Sequence, residues 1–393
     1  MADNTPVIVA AKRTPIGRFL GGLSRIGATD LGGFAVRQVL ADVPAVKDQV
    51  DEVVFGIVLT AGIGQNPGRQ AGLKGGLGND LIAYAVNKVC GSSLKAVMLA
   101  AQSIKAGDCE CVIAGGMESM SQAPHYVYVR NGLKFGPGQL ADHMANDGLT
   151  CPFEHVAMGI HAEYTADKWG VSREDQDRWS AQSHQRAAAA WDNGWYDAEV
   201  FGLEAGEIKQ KADVTRDEGI RAETTAEGIG KLRPAFTKDG TVTAANASQI
   251  SDGAAALVVM TQAKADALGL KPLARIVSYH THGVEPKELF IAPVGAVKGS
   301  VEKAGWSLGD VDLFELNEAF ASQTVAGIKQ LEIPEDKVNI CGGGIALGHP
   351  IGASGSRVLV TLVHQLQRTG GTKGVVSLCL GGGNAVAMCV ERA

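Results

Sequence analysis

The sequence predicts an α/β protein made of two similar halves around an insert. Three observations lead there: short Val- and Ile-rich runs alternate with helix-length amphipathic stretches, the alternation occurs twice, and it breaks down between about Met120 and Thr243. In the first half the apolar runs 7–10, 53–55, 83–86 and 111–114 are too short for helices. They lack polar alternation, as strands buried on both faces do. Between them the spacing predicts helices over about 30–40, 69–74 and 93–105. The second half repeats the scheme, with strands over 274–277, 313–314, 338–340, 375–378 and 385–388 and helices over about 296–304, 322–331 and 353–368. Registers agree as well: Cys90 follows Asp51 by 39 residues and His349 follows Asp312 by 37, so these two residues occupy equivalent places in the halves. Within the insert, 125–138 is polar, aromatic and Gly-rich, 173–196 reads as a charged helix, and 204–231 has little periodicity. A loop-rich insert of this size is more often functional than idle.

Composition narrows the function classes. A chain of 393 residues, 45% hydrophobic and 20% charged, can build real cores without disulfides. Its 51 glycines exceed the usual share of about 7% and fall in clusters where backbone must turn sharply or approach a ligand. A net charge of −6 with no basic run argues against nucleic acid as a partner. No stretch approaches about 18 uninterrupted apolar residues, so no membrane span is expected. Seven cysteines (90, 109, 111, 151, 341, 379 and 389) without a C-x-x-C pair argue against a disulfide framework and against a metal site. Neither end of the chain carries a targeting signal, and a soluble cytoplasmic protein with reduced thiols is the expectation.

Four segments carry candidate chemistry. Cys90, in Val89-Cys-Gly-Ser-Ser93, falls at a strand-to-helix turn, where backbone N–H groups and a helix N-terminus lower a thiol pKa and hold an oxyanion. It reads as a nucleophile or as a buried structural cysteine. His349 lies in the Gly-rich run 342–355 ahead of a helix, an uncluttered loop from which a base can reach another segment. The rival reading of that run, a dinucleotide fingerprint, fails on its G-x-G-x-x-x-G spacing. Cys379, in Leu378-Cys-Leu-Gly-Gly382, ends a buried strand and taken alone reads as core. Asn317, in Glu315-Leu-Asn-Glu-Ala-Phe320, stands where a helix is about to start, and an N-cap is its plain explanation.

Taken together, Cys90-Gly-Ser, Asn317-Glu-Ala-Phe, Gly348-His-Pro-Ile-Gly-Ala-Ser-Gly355 and Cys379-Leu-Gly-Gly-Gly383 closely resemble the thiolase family, and within it the short-chain acetoacetyl-CoA branch. The likeness covers essentially the whole chain and extends to Arg13-Thr-Pro-Ile-Gly17, Gly115-Gly-Met-Glu-Ser119 and Lys231-Leu-Arg-Pro-Ala-Phe236. It implies a duplicated fold of two mixed-sheet halves in α-β-α-β-α layers, with an N-terminal domain over 1–270, a C-terminal domain over 271–393, and a loop domain inserted at about 120–243. It also implies condensation of two acetyl-CoA to acetoacetyl-CoA and the reverse thiolysis, with thiolysis of longer 3-ketoacyl-CoA as the alternative. Coenzyme A and its acyl thioesters would be substrates, with no tightly bound cofactor. Cys90, activated by His349, would form an acyl-enzyme, and Cys379 would deprotonate the second acetyl-CoA. His349 and a water held by Asn317 would form one oxyanion hole, and the N–H groups of Cys90 and Gly381 the other. Arg221 would pack near the adenine, while Leu149, Met158, Phe236, Ala244, Ala247, Ser248 and Phe320 would line the pantetheine tunnel. The polar excursion from Ser121 to Met144 resembles the loop that ties dimers into a homotetramer. Two departures bear on chain length: Ala157 stands where many short-chain members carry His, and Leu289 where they often carry Met.

Overall fold

The computed structural model describes residues 3–393. The first half runs β1 (Pro6–Arg13), β2 (Gly17–Arg18), α1 (Ala28–Asp42), β3 (Glu52–Gly56), α2 (Pro67–Lys74), β4 (Ile82–Val86), α3 (Ser92–Ala106) and β5 (Cys111–Ser119). The insert holds β6 (His125–Tyr126), β7 (Ala141–Asp142), α4 (Met158–Lys168), α5 (Arg173–Asp192) and α6 (Ala226–Gly230). The chain then returns through β8 (Ser251–Thr261) and α7 (Gln262–Ala267). The second half comprises β9 (Ala274–Gly283), α8 (Ala292–Lys303), β10 (Leu313–Leu316), α9 (Ala321–Leu331), α10 (Gly344–Leu347), α11 (Ser354–Thr369), β11 (Lys373–Leu380) and β12 (Asn384–Arg392).

Ten strands form one mixed sheet in the order β10-β11-β12-β9-β1-β8-β5-β3-β4, with β2 beside β8, and β6 and β7 pair separately. Its seam is thin, since β1 meets β9 only at Val7 with Arg275 and Ile8 with Ala274. On either side of the seam the same plan is laid out twice: β3 and β5 pair in parallel, β10 and β11 pair in parallel, and each pair carries an antiparallel neighbour. The register match between halves has a physical counterpart. Asp51 Oδ2 accepts from the N–H groups of Glu110 and Cys111 at 2.7 and 2.9 Å, where β5 begins. Asp312 Oδ2 accepts from Thr372 and Lys373 at the same two distances, where β11 begins.

Helices α3 and α11 lie between the halves and share one core with strands of both, including Val97, Ile104, Val112, Leu359, Val376 and Met388. Helix α1 packs on the outer face of the first half, through Leu31, Val36 and Val39, and α8 and α9 cover the outer face of the second. The layers are therefore α-β-α-β-α. Helix α5 follows the sequence reading and starts with a capping box, Ser172 Oγ accepting from Asp175 N at 3.0 Å. Buried Arg13 ties the insert to β1 by donating to Glu199 at 2.7 Å and to Asp217 at 2.7 and 3.0 Å.

Two expectations are corrected. The strand predicted at 338–340 shrinks to a single bridge between Val338 and Phe314. Asn339 takes φ +48°, and its side chain replaces the ladder by accepting from Leu316 N and donating to Leu316 O, both at 2.8 Å. Conversely, β8 is a fully buried central strand where the sequence pattern predicts none, because its Ala254-Ala-Ala256 run carries helix propensity that burial between β1 and β5 overrides.

Candidate active site

The two central helices bring the site together. Gly355, in the first turn of α11, lies so close to α3 that an added Cβ would sit 2.4 Å from Leu94 N. The turns that precede the two helices therefore face each other, and these turns carry Cys90 and His349. The residue before the cysteine, Val89, is held at φ +48°, a conformation β-branched side chains avoid and which aims the next residue out of the strand line. On the other side, Gly348 has φ +112°, and a Cβ there would lie 2.2 Å from Ser251 Oγ, so only glycine fits.

Between the turns lies a cavity of about 660 Å³, lined by Cys90, His349, Cys379 and Gly381 among others. Gly381 N–H and the N–H of Cys90 itself point at the Cys90 sulfur. Despite these donors, burial pushes the thiol up to about 11, so the local dipole does not make it acidic as the turn alone suggests. Cys379, at the end of β11, is also pushed up by burial and then by the neighbouring Cys90. Its Sγ lies 3.9 Å from Gln323 Oε1.

His349 is buried, and desolvation, with Arg357 adding to it, lowers its pKa to about 3, so the ring is neutral. Nδ1 lies 2.5 Å from Ser354 Oγ, whose hydroxyl donates to Pro350 O at 2.9 Å. With the hydroxyl proton assigned to that carbonyl, Nδ1 is the donor to Oγ and Nε2 carries the lone pair. Asn317 Nδ2 stands 3.4 Å from Nε2. Asn317 itself does not line the cavity and does not cap α9, which starts at Ala321 after Phe320. It touches the site through the imidazole, and its Oδ1 makes no hydrogen bond. The next residue, Glu318, is a structural node, accepting from Trp179 Nε1, Ser183 Oγ, Asn339 Nδ2 and Ile345 N.

Every residue expected on the coenzyme path lines the same cavity: Leu149, Met158, Arg221, Phe236, Ala244, Ala247, Ser248 and Phe320. Phe320 stacks edge-on against Phe236 and Phe290, with centroids 6.1 and 5.2 Å apart. The end of the insert is stitched to the second half by Ser248 N to Ala319 O at 2.9 Å and Ala321 N to Asn246 O at 2.9 Å. Ala157 and Leu289 also line the cavity, whereas Phe153 and His155 do not. Sequence reasoning missed Ser354, which reads as an ordinary first residue of a helix, and Glu118, whose neighbours are assembled only by the fold. No group of three or more potential metal ligands occurs among the described residues, and none of their helices is long and apolar enough to cross a membrane.

A fold duplicated around paired helices, with two cysteines and a buried neutral histidine in one cavity, defines an acyl-transfer enzyme class, and the chain belongs to the thiolase family. The family's N-terminal domain model matches residues 6–263 and its C-terminal domain model residues 270–392. The chain is 52% identical over 387 residues to an acetyl-CoA acetyltransferase of Chromobacterium violaceum, covering 98% of this chain and 99% of that one. It is 51% identical to the cytosolic acetyl-CoA acetyltransferase of Mus musculus, over 98% of both chains. The crystal structure of the Bacillus anthracis acetyl-CoA acetyltransferase superposes with a TM-score of 0.96 at 39% identity, over 100% of both chains.

Proposed function

We propose that this chain is an acetyl-CoA C-acetyltransferase that condenses two acetyl-CoA into acetoacetyl-CoA and coenzyme A and catalyses the reverse thiolysis. The observation that carries this reading is the single cavity lined by Cys90, His349 and Cys379 together with Phe236, Ala247 and Ser248. The names of full-length relatives at about half identity agree with it and do not favour the broader 3-ketoacyl alternative.

The chemistry follows from the protonation states. Burial disfavours both a lone thiolate and an imidazolium, so the resting pair is neutral. As Cys90 Sγ attacks the thioester carbon, its proton passes to His349 Nε2, and the N–H groups of Cys90 and Gly381 receive the developing oxyanion. Cys379 starts protonated, so it gives its proton to the departing coenzyme A thiolate and then removes one from the methyl of the second acetyl-CoA. The protonated His349 stabilises the resulting enolate, with a water held by Asn317 as the second donor, and the enolate attacks the acyl carbon. Cys90 then leaves and recovers its proton. Arg221, which lines the cavity, would pack against the adenine.

Acetoacetyl-CoA mixed with coenzyme A should lose its enolate absorbance with the enzyme present, and no loss would refute the reading. We also propose a cytoplasmic homotetramer. The excursion closed by β6 and β7 exposes Tyr128, Leu133, Phe135 and Leu140, an apolar arm suited to packing on a second dimer. Light scattering at the monomer mass would contradict this, and a dimer would remove only the role of the arm.

A further inference from the structure

Glu118 is a charged side chain that the reaction above does not use. It is the penultimate residue of β5 and is fully buried outside the cavity lining. Its carboxylate gathers three backbone donors from two separate segments: Oε2 accepts from Val58 N at 3.0 Å and Gly352 N at 2.9 Å, and Oε1 from Leu59 N at 3.2 Å. Gly352 belongs to the loop that carries His349, three residues away. Val58 and Leu59 follow β3 and pack with Ile351 in the small apolar cluster against which Cys90 rests. A Cβ on Gly352 would lie 2.6 Å from Oε2, so this loop is shaped around the carboxylate. One side chain thus joins the segment beside the nucleophile to the segment bearing the base.

We propose that Glu118 is a positioning residue for the acyl-transfer reaction: it holds the His349 loop against the Val58–Leu59 segment on which Cys90 rests. The proposal rests on the reading of Cys90 as nucleophile. Burial, only partly offset by the three N–H donors and with Asp252 on the adjacent strand adding to it, raises Glu118 to about 7. Asp252 is itself raised to about 6, chiefly by burial.

The test is steady-state thiolysis by Glu118 variants whose fold is checked by circular dichroism, beside acetylation of Cys90 followed by intact-protein mass spectrometry. In Glu118→Gln kcat should fall by about tenfold with KM for coenzyme A within twofold, the mark of a displaced base rather than a damaged binding site. Glu118→Asp should share the loss of kcat, because a carboxylate one methylene shorter cannot reach all three donors. Where these variants do not fold, amide hydrogen exchange of the wild type decides the matter: the N–H groups of Val58, Leu59 and Gly352 should be strongly protected, and exchange at the rate of unpaired amides overturns the proposal. Unchanged kcat in the variants that fold overturns the positioning role. If the nucleophile assignment is at fault instead, no acyl adduct forms on Cys90 in the wild type.

Discussion

Replacing Ser354 by alanine tests how His349 becomes a base. Ser354 Oγ is the only group the structure places against Nδ1, at 2.5 Å, and it sits in the first turn of α11, where alanine suits the helix. Pro350 O loses the hydroxyl but still accepts from Ala353 N and Ser354 N at 2.9 Å, so the turn keeps its backbone bonds. What changes is the imidazole. Its buried Nδ1–H is left unpaired at a cost of about 1–3 kcal/mol. Asn317 Oδ1, which has no hydrogen-bond partner, can rotate to accept from Nε2–H instead. The tautomer then inverts and the lone pair no longer faces the cavity. At 1.4 kcal/mol per tenfold, the competent tautomer falls by about 5- to 150-fold, and kcat/KM for thiolysis should fall with it. The Tm should drop by only a few degrees. Steady-state kinetics on a folded Ser354→Ala enzyme checks this, and kcat/KM within twofold of wild type would refute the argument that this hydroxyl selects the tautomer.

Three further outcomes are expected. Cys90→Ala should give no acetyl adduct by intact-protein mass spectrometry after exposure to acetyl-CoA, whereas Cys379→Ser should still acylate while condensation falls by orders of magnitude; an adduct that persists on Cys90→Ala would sink the assignment. His349, with its pKa lowered to about 3 in the folded chain against about 6.5 unfolded, makes the unfolded state bind more protons between those values, so stability is lost as pH falls through 6.5 toward 3. His349→Asn should therefore flatten the acid side of the Tm–pH curve, and an unchanged slope would mean that the ring is protonated in the native protein. Third, Ala157 and Leu289 leave an apolar wall that Phe153, exposed over Gly382, does not fill. With about 0.8 kcal/mol gained per buried methylene, 3-ketopentanoyl- and 3-ketohexanoyl-CoA should be cleaved within about tenfold of acetoacetyl-CoA. A hundredfold fall on adding one methylene would show the wall to be closed, and Ala157→His should impose that fall if it is open.

Sequence by itself determined the elements whose cause is local. The buried runs that became β1, β3, β5, β11 and β12, the helices between them and the paired aspartates at 51 and 312 were all legible, because hydrophobic period and turn chemistry act over a few residues. The catalytic candidates were legible as well, Cys90, His349 and Cys379 through the glycines around them, since backbone that must approach a ligand excludes side chains. The tertiary structure decided whatever depends on residues distant in the chain. Burial, and not the turn, sets the Cys90 thiol, because a low-dielectric surround outweighs two N–H donors. Asn339 can stand in for a strand only because Leu316 lies beside it, and Ala254-Ala-Ala256 extends only because β1 and β5 flank it. Ser354 and Glu118 carry no signature of their own, because a hydroxyl in a helix's first turn or a carboxylate after a strand acquires its role from the N–H groups that other segments bring within about 3 Å of it.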